Sequence, residues 1–276
     1  MSVEQRVVLQ TDDLTIGDLR KQKEIDFHNQ RECDRLHLSH DAFERKYSNK
    51  KWYTVVRKSH DHVSEWLAAN CLGNAALDYC CGLGGMSIEL ARHGAHVSAF
   101  DISDQSARTA RHALEEAGFG HRASVYVMDA ENLAFADNTF DIIVCSGVLH
   151  HLDLERAYCE LARLLKPGGK IICMEALGHN PAIALYRRLT PHLRTEWEAK
   201  HILKIGDVKL ARRYFERSET RFFHLFSIAG VLFRQTPLFR PLLTILEVLD
   251  DIFLKMPGVK LMAWQVIFEL SGPRKD

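Results

Sequence analysis

One segment constrains the fold of this chain more than any other: residues 75–86, which read AALDYCCGLGGM. Its apolar run ends at Asp78, and a glycine-containing turn then opens a helix, the order in which parallel-sheet proteins bring backbone close to a nucleotide-like ligand. Gly82 and Gly84 lack a β-carbon, so a ligand can lie against the turn, and Asp78 adds an anionic acceptor. A dinucleotide-binding fingerprint would require glycine at Ser87, and the acid before the turn repels a pyrophosphate. The segment therefore favours a cationic ligand without phosphate.

This segment resembles the first motif of class I S-adenosylmethionine-dependent methyltransferases, a hydrophobic residue followed by Leu-Asp-x-Gly-Cys-Gly-x-Gly. The resemblance implies S-adenosyl-L-methionine as the cofactor, with Asp78, Tyr79, Cys80, Gly82 and Gly84 against it. Cys80 stands where the family commonly has its first glycine. A cysteine there is expected to need a backbone conformation open to non-glycine residues, and to narrow the space at the methionine end of the cofactor.

A second acid follows another β-rich run, residues 95–103 (AHVSAFDIS). Asp101 lies 23 residues after Asp78, about the distance at which Rossmann-type folds place the residue that binds ribose hydroxyls. We therefore expect Asp101, with Ile102 beside it, to bind the cofactor, and Ser103 to be the N-cap of the next helix. The alternative is that Asp101 itself is a capping residue.

Two further segments extend the resemblance. Residues 123–131 (ASVYVMDAE) form a third strand ending in an acid, and the family resemblance implies that Asp129 accepts the adenine amine while Met128 and Ala130 flank the ring. A turn aspartate is the alternative. Residues 140–175 then run as a buried strand containing Cys145, a loop, a helix, a Leu-Lys-Pro-Gly-Gly turn and another strand. The family implies that Cys145, at the end of its strand, also borders the cofactor.

The alternation of strands and helices predicts an α/β fold with a mostly parallel sheet. The resemblance implies that this sheet is Rossmann-like, doubly wound and seven-stranded, with an N-terminal helical lid and a helical insertion near the C-terminus. We divide the chain into residues 1–70 as a lid, 71–177 as the cofactor-binding core and 178–276 as the substrate side. The final strands are expected at 216–223 and 263–270, with the helical insertion at 224–260 between them. Ligands bind beyond the carboxyl ends of such strands, so the acids should share one rim.

Candidate residues for the chemistry follow the fourth and fifth strands. His150 or His151 is placed to remove a proton from a methyl acceptor, and Glu175 to hydrogen-bond that acceptor. The alternatives are that the histidines only shape the loop and that Glu175 is a buried cap. Residues expected to bind the acceptor come from the lid and from the segment after Glu175: His28, Tyr47, Tyr53, His179, Tyr186 and Arg188. Surface or packing positions are the alternative for each.

Composition narrows the classes of function. The 36 basic and 36 acidic residues balance, which argues against a general nucleic-acid binder. The seven cysteines form no zinc-type cluster, so we predict no metal and a reducing compartment. The first residues lack the apolar core of a signal peptide, and we expect a cytoplasmic protein, monomeric or homodimeric. Apolar helices near the C-terminus fit a lipophilic acceptor or peripheral membrane contact, and ordinary core or dimer packing is the alternative.

The resemblance implies methyl transfer to oxygen or carbon of a small, possibly lipophilic acceptor. Two other classes of protein stay open on the sequence. One is a regulatory protein that binds S-adenosylmethionine without catalysis. The other, disfavoured by Ser87 and Asp78, is an oxidoreductase with a nucleotide cofactor.

Overall fold

The computed structural model describes residues 16–275 of the chain. It begins with helices, in the region predicted to form a lid, and the first 15 residues of that region lie outside the described part. These helices are α1 (Ile16–His37), α2 (His40–Lys46), a 3-10 helix (Ser48–Val55) and α3 (Arg57–Asn70). Ser39 caps α2 by accepting a hydrogen bond from the Ala42 amide at 3.3 Å.

Strands and helices then alternate, as the hydrophobic pattern predicts. The elements are β1 (Ala75–Tyr79), α4 (Gly85–Arg92), β2 (His96–Asp101), α5 (Asp104–Glu116), β3 (Ala123–Val127), β4 (Phe140–Ser146), α6 (Leu154–Leu164) and β5 (Leu165–Ala176). Ser103 is the N-cap of α5, because its hydroxyl accepts from the Ser106 amide at 3.0 Å. That capping prediction is confirmed.

The remaining elements lie in residues 178–276, the region predicted to form the substrate side. They are α7 (Pro181–Leu189), α8 (Glu196–Lys200), α9 (Ile205–Leu210), β6 (Phe215–Phe223), α10 (Phe239–Phe253) and β7 (Gln265–Pro273). A 3-10 helix (Ser227–Phe233) precedes α10, and another (Val259–Met262) follows it. The two final strands thus lie within two or three residues of their predicted bounds, and the segment between them is helical.

All seven strands form one sheet in the order β3-β2-β1-β4-β5-β7-β6. Strands β1 to β5 are parallel, whereas β7 runs antiparallel to both β5 and β6. The predicted seven-stranded, mostly parallel sheet is confirmed. Its order reverses between β1 and β4, and a crevice for ligands opens at such a switch point, beyond the carboxyl ends of the strands.

Both faces of the sheet are covered, so the central strands are apolar on both sides. Leu77 and Ile143 pack on one face, and Ala76 and Val144 pack on the other, as the period of two in a strand requires. The cysteines are all free thiols. Within residues 16–275, none of the helices has the length and apolar character that crossing a bilayer requires.

Candidate active site

Asp101 joins two loops at the rim of the sheet. One carboxylate oxygen accepts from the Gly82 amide at 3.0 Å, and the other accepts from the Ser103 amide at 2.9 Å. Burial raises the pKa of this carboxyl, although the backbone hydrogen bonds oppose that shift. A carboxylate offers about four lone-pair positions, so acceptor capacity remains after these two bonds. Asp101 therefore fixes the glycine turn and can still accept from a ligand hydroxyl.

Asp78 lies at the end of β1, almost entirely buried. Its carboxyl accepts a 2.5 Å hydrogen bond from the Ser87 hydroxyl on α4. Burial raises the pKa of Asp78 to about 7, against the opposing effect of that hydrogen bond and with a further contribution from the negative charge of Asp101. A cation bound near this carboxyl would favour its charged form.

Cys80 corrects one sequence expectation. Its φ is 61°, in the left-handed region, and not in a conformation open to non-glycine residues as the sequence predicts. A β-carbon in that region contacts the following carbonyl, at a cost of roughly 1–2 kcal/mol. The structure thus retains a glycine-type backbone at the position where the resembled family commonly has glycine. Burial also raises the pKa of the Cys80 thiol, which therefore stays protonated.

The turn glycines differ in what they face. Gly82 has φ of 52°, and a β-carbon built there would meet no atom within 4 Å. Gly84 has φ of 83°, and its β-carbon would come within 3.0 Å of Ala110 on α5. Open space at Gly82, beside two buried carboxyls, fits a cationic nucleoside such as S-adenosylmethionine. Close packing against Ala110 therefore requires glycine at position 84, whether or not this residue also contacts the cofactor as predicted.

Two residues predicted to border the cofactor have fully buried side chains. Tyr79 donates from its hydroxyl to the Ala130 carbonyl at 2.5 Å, and its ring packs against Phe100. Cys145 is likewise enclosed in the core. Their side chains therefore face away from any ligand, and only their backbone can reach one. Tyr79 instead positions the loop after β3, which carries Met128 and Asp129.

Helix α1 lies along the rim and contacts three of its loops. Asn29 accepts from the Ser103 hydroxyl at 2.6 Å, and Lys21 donates to Asp129 at 2.6 Å. Arg20 pairs with Glu131 and donates to the His151 carbonyl at 3.0 Å. The helix thus covers the edge at which the cofactor is predicted to bind. Asp129, the acid predicted to accept the adenine amine, is already hydrogen-bonded to Lys21.

Glu175 organises the loop that follows β4. One oxygen accepts from the Val148 and Leu149 amides, each at 2.7 Å, and the other accepts from His150 Nδ1 at 2.8 Å. Because Nδ1 donates to a carboxylate, a neutral His150 keeps the lone pair on Nε2. The prediction that Glu175 hydrogen-bonds the acceptor is corrected, since this carboxylate is buried and its oxygens serve the loop.

His151 faces away from Glu175 towards α1. Its Nδ1 lies 3.0 Å from Glu24, and its ring centroid is 5.6 Å from that of His28. The net pKa of His151 is raised. Burial alone would lower it, but the hydrogen bond with Glu24 and the charges of Glu198 and Glu175 outweigh burial. Burial and the positive charge of His151 lower the pKa of His28 to about 4. His28 is therefore neutral near pH 7.

Beside His150 lies a cavity of about 400 Å³, within the range of small-molecule sites. Its wall is mainly apolar, and it is enclosed by the segment before α3, by α7 and α8, and by the 3-10 helix before α10. The lining residues are Trp52, Tyr53, His150, Ala176, Asn180, Ala182, Ile183, Tyr186, Arg187, Leu193, Arg194, Glu198, Ile202, Leu225, Ile228, Ala229, Val231, Leu232 and Trp264.

Of the residues predicted to bind the acceptor, Tyr53 and Tyr186 line this cavity. The others are corrected. Tyr47 is buried and donates to Asp34 at 2.6 Å, while His179 accepts from the Ile205 amide at 3.0 Å at the start of α9. Arg188 is exposed on α7, and His28 lies with His151 on the α1 side.

One end of the cavity is charged, which the sequence did not predict. Arg187 and Arg194 lie 3.4 and 3.5 Å from the same oxygen of Glu198, and His150 Nε2 lies 3.9 Å from it. The contact of Arg194 with Glu198 is made by Nε and is an ion pair without hydrogen-bond geometry. Two buried polar atoms in the cavity wall, Trp52 Nε1 and Tyr186 Oη, have no hydrogen-bond partner among the described residues. Such atoms are rare in proteins unless a ligand or water satisfies them.

Comparison with known proteins agrees with the rim geometry. Residues 77–173 match a family model described as a methyltransferase domain. This part of the chain is therefore similar to methyltransferase domains, as the first motif predicts.

Two curated relatives illustrate the match. A sterol 4-C-methyltransferase from Caenorhabditis elegans is 27% identical over 136 residues, covering 49% of this chain and 40% of the relative. A demethylmenaquinone methyltransferase from Anoxybacillus flavithermus is 33% identical over 121 residues, covering 42% of this chain and 50% of the relative. The chain thus spans half or less of the length of these relatives, and the match concerns a part of each.

A solved structure extends the likeness in fold. The magnesium protoporphyrin IX methyltransferase of Synechocystis PCC 6803, crystallised with bound SAH, superposes with a TM-score of 0.56 at 19% identity. The superposition covers 93% of this chain and 100% of that one. The likeness in fold therefore extends beyond the matched domain to the helices before β1 and the segment after β5.

Proposed function

We propose that this protein transfers a methyl group from S-adenosyl-L-methionine to an oxygen or carbon atom of a lipophilic small molecule. The observation that carries the proposal is the largely apolar cavity next to His150, at the ligand-binding edge of a methyltransferase-type sheet. Sterols and demethylmenaquinone, which give the two curated relatives their names, are lipophilic molecules of the kind that such a cavity suits.

The cavity wall supports an acceptor with an apolar body and a polar substituent. Its apolar residues favour burial of a hydrocarbon framework. The Tyr186 hydroxyl, which has no hydrogen-bond partner among the described residues, is a donor that an oxygen substituent would satisfy. Arg187 and Arg194 share a single carboxylate partner, Glu198, so this end of the cavity also tolerates an oxygen with developing negative charge.

His150 is our candidate for the general base. Bound S-adenosylmethionine would supply a methyl group on a sulfonium, whose leaving group is a neutral thioether that needs no acid. Removal of the acceptor proton is then the step left to the protein, and His150 Nε2 has the free lone pair for it. Glu175 holds the ring through Nδ1 and stabilises the imidazolium that forms. His151 points towards α1 instead of lining the cavity.

Turnover with methyl-labelled S-adenosylmethionine tests this assignment. Sterols, quinols and lipophilic phenols serve as acceptors, and label extracted into organic solvent is counted. We expect His150→Ala to lower turnover by about 100-fold or more, the contribution of a positioned base, with little change in affinity for S-adenosylhomocysteine. His112→Ala, an exposed histidine on α5, is the matched control. Unchanged turnover in His150→Ala would remove its role as base.

Calorimetry separates the proposal from the other classes of protein. We expect heat of binding with S-adenosylmethionine and S-adenosylhomocysteine, and none with NAD(H) or NADP(H). Binding without transfer to any acceptor would favour a regulatory protein. Binding of the nicotinamide cofactors alone would favour an oxidoreductase.

A further inference from the structure

Three side chains from distant parts of the sequence meet between α1 and the loop after β4. Glu24 and His28 are one turn apart on α1 and therefore share a face of the helix, and His151 comes from the loop. His151 Nδ1 lies 3.0 Å and His28 Nε2 lies 3.8 Å from the same oxygen of Glu24. One ligand atom from each residue lies within 4.8 Å of the other two.

The carboxylate of this cluster is buried and already oriented. The other oxygen of Glu24 accepts a 2.5 Å hydrogen bond from Thr195, just before α8. The ion pairs that the structure shows for Glu24 are both with imidazoles, His28 and His151. Arg20, which approaches the His151 carbonyl, is paired with Glu131. A buried carboxylate needs a cation beside it, here the imidazolium of His151, and a metal ion can take that place once the proton leaves.

We propose that Glu24, His28 and His151 bind a divalent transition-metal ion, with Zn²⁺ as the best match. Zn²⁺ binds histidine nitrogen and carboxylate oxygen at about 2.0–2.1 Å, which sets tetrahedral ligand atoms about 3.3 Å apart. The 3.0 and 3.8 Å separations from the Glu24 oxygen bracket that value. Metal binding displaces the proton that lies between His151 Nδ1 and Glu24. The hydrogen bond from Thr195 to the other oxygen of Glu24 keeps the carboxylate oriented.

A neighbouring set, His150, His151 and Glu198, also has ligand atoms within 4.8 Å of one another. Its carboxylate differs, because Glu198 already pairs with Arg187 and Arg194. Two guanidinium groups next to a carboxylate repel a further cation. The charges therefore favour the Glu24 set.

A metal ion at this place would tie α1 to the loop that carries His150. It would hold the covering helix against the cofactor edge without lying in the acceptor cavity, whose lining includes neither Glu24 nor His28. This is a structural role, independent of the proposed methyl transfer, and it can be measured without cofactor or acceptor.

Titration of the untagged, metal-free, full-length protein with Co²⁺ and Zn²⁺ tests the site. We expect one ion per chain, visible Co²⁺ absorption typical of tetrahedral coordination, its displacement by Zn²⁺ and a rise in melting temperature. Glu24→Gln and His28→Ala should each weaken binding by about tenfold or more. His112→Ala, which removes an exposed histidine near Glu116, should bind as the unaltered protein does.

Two results would overturn the proposal. One is the absence of stoichiometric binding. The other is binding that survives both His28→Ala and Glu24→Gln, including binding lost only in His150→Ala, which would move the ion to the neighbouring set. If Glu24→Gln does not fold, His28→Gln at the less buried imidazole provides the same comparison.

Discussion

Asp78 combines burial with a position beside the glycine turn, and this combination makes ligand binding depend on pH. Its pKa is raised to about 7, so below that pH the free protein holds a neutral carboxyl. A cationic ligand stabilises the carboxylate, and the proton must leave on binding. We expect affinity for S-adenosylmethionine to rise about tenfold from about pH 6 to about pH 8 and then to level off. Calorimetry in buffers of different ionisation enthalpy measures both the affinity and the released proton.

The matched variant is Asp78→Asn, which keeps the shape of the side chain and removes its titration. This variant should bind the cofactor more weakly above pH 7, and binding should no longer release a proton from residue 78. Any pH dependence that comes from ionisation of the ligand itself should be unchanged. The same pH dependence in Asp78→Asn would assign the effect to another group, such as the His151 imidazole near the rim.

At the scale of the elements, Gly84 determines how closely α4 approaches α5. A β-carbon at Gly84 would come within 3.0 Å of Ala110, and its φ of 83° is strained for any other residue. We expect Gly84→Ala to lower the free energy of unfolding by about 1–3 kcal/mol. Gly85→Ala is the control, because its β-carbon meets nothing within 4 Å and its φ is ordinary. Denaturant unfolding of both variants measures the difference, and equal stability would contradict the packing argument.

The order of the elements could be predicted from the sequence because its causes are local. Apolar runs that end in acids, and glycines that end helices, lie within a few residues of what they determine. The sequence alone therefore predicts that the acids at 78, 101 and 129 share one rim. Contacts made by α1 with that rim could not be predicted, since Lys21 and Glu24 look like ordinary charged residues of a surface helix.

The acceptor cavity was predicted less well than the cofactor edge. Its walls come from short helices whose positions depend on packing between distant segments. Arg188 was predicted to bind the acceptor, but the neighbouring Arg187 lines the cavity instead. Successive residues of a helix point about 100° apart, so an error of one residue changes the face. Glu198 was missed since nothing in its neighbourhood distinguishes it from a solvated acid. The backbone conformation of Cys80 was predicted wrongly, because the turn sets its φ of 61° and the cysteine side chain does not.

At the scale of the whole molecule, one surface combines apolar and basic residues. Helix α10 buries one face through Leu243 and presents Ile245, Val248 and Ile252 to solvent, with 60, 52 and 55% of each residue exposed. Leu232, which lines the acceptor cavity, is 77% exposed near the same helix. Apolar residues exposed together on one helix face are typical of an interaction site.

Charge favours an anionic lipid surface as the partner of this face. The acids of α10 are compensated: Glu247 pairs with Arg57, Asp250 accepts from the backbone of the 3-10 helix before α10, and Asp251 pairs with Lys58. Basic residues of the same region are exposed or half-exposed, namely Arg234, Arg240, Lys255 and Lys260. Because the exposed Leu232 also lines the acceptor cavity, docking there would let a lipophilic acceptor pass from lipid into the protein.

We therefore expect the protein to sediment with vesicles that contain phosphatidylglycerol, and to be released by high salt, since the basic residues attract the anionic surface. Ile252→Glu should abolish sedimentation by placing a charge in the apolar face. Leu36→Glu is the matched control, because Leu36 on α1 is 54% exposed against 55% for Ile252. Sedimentation velocity without lipid distinguishes a second copy of the chain as the partner. Complete recovery in the supernatant at low salt, or a dimer that Ile252→Glu dissociates, would contradict docking to lipid.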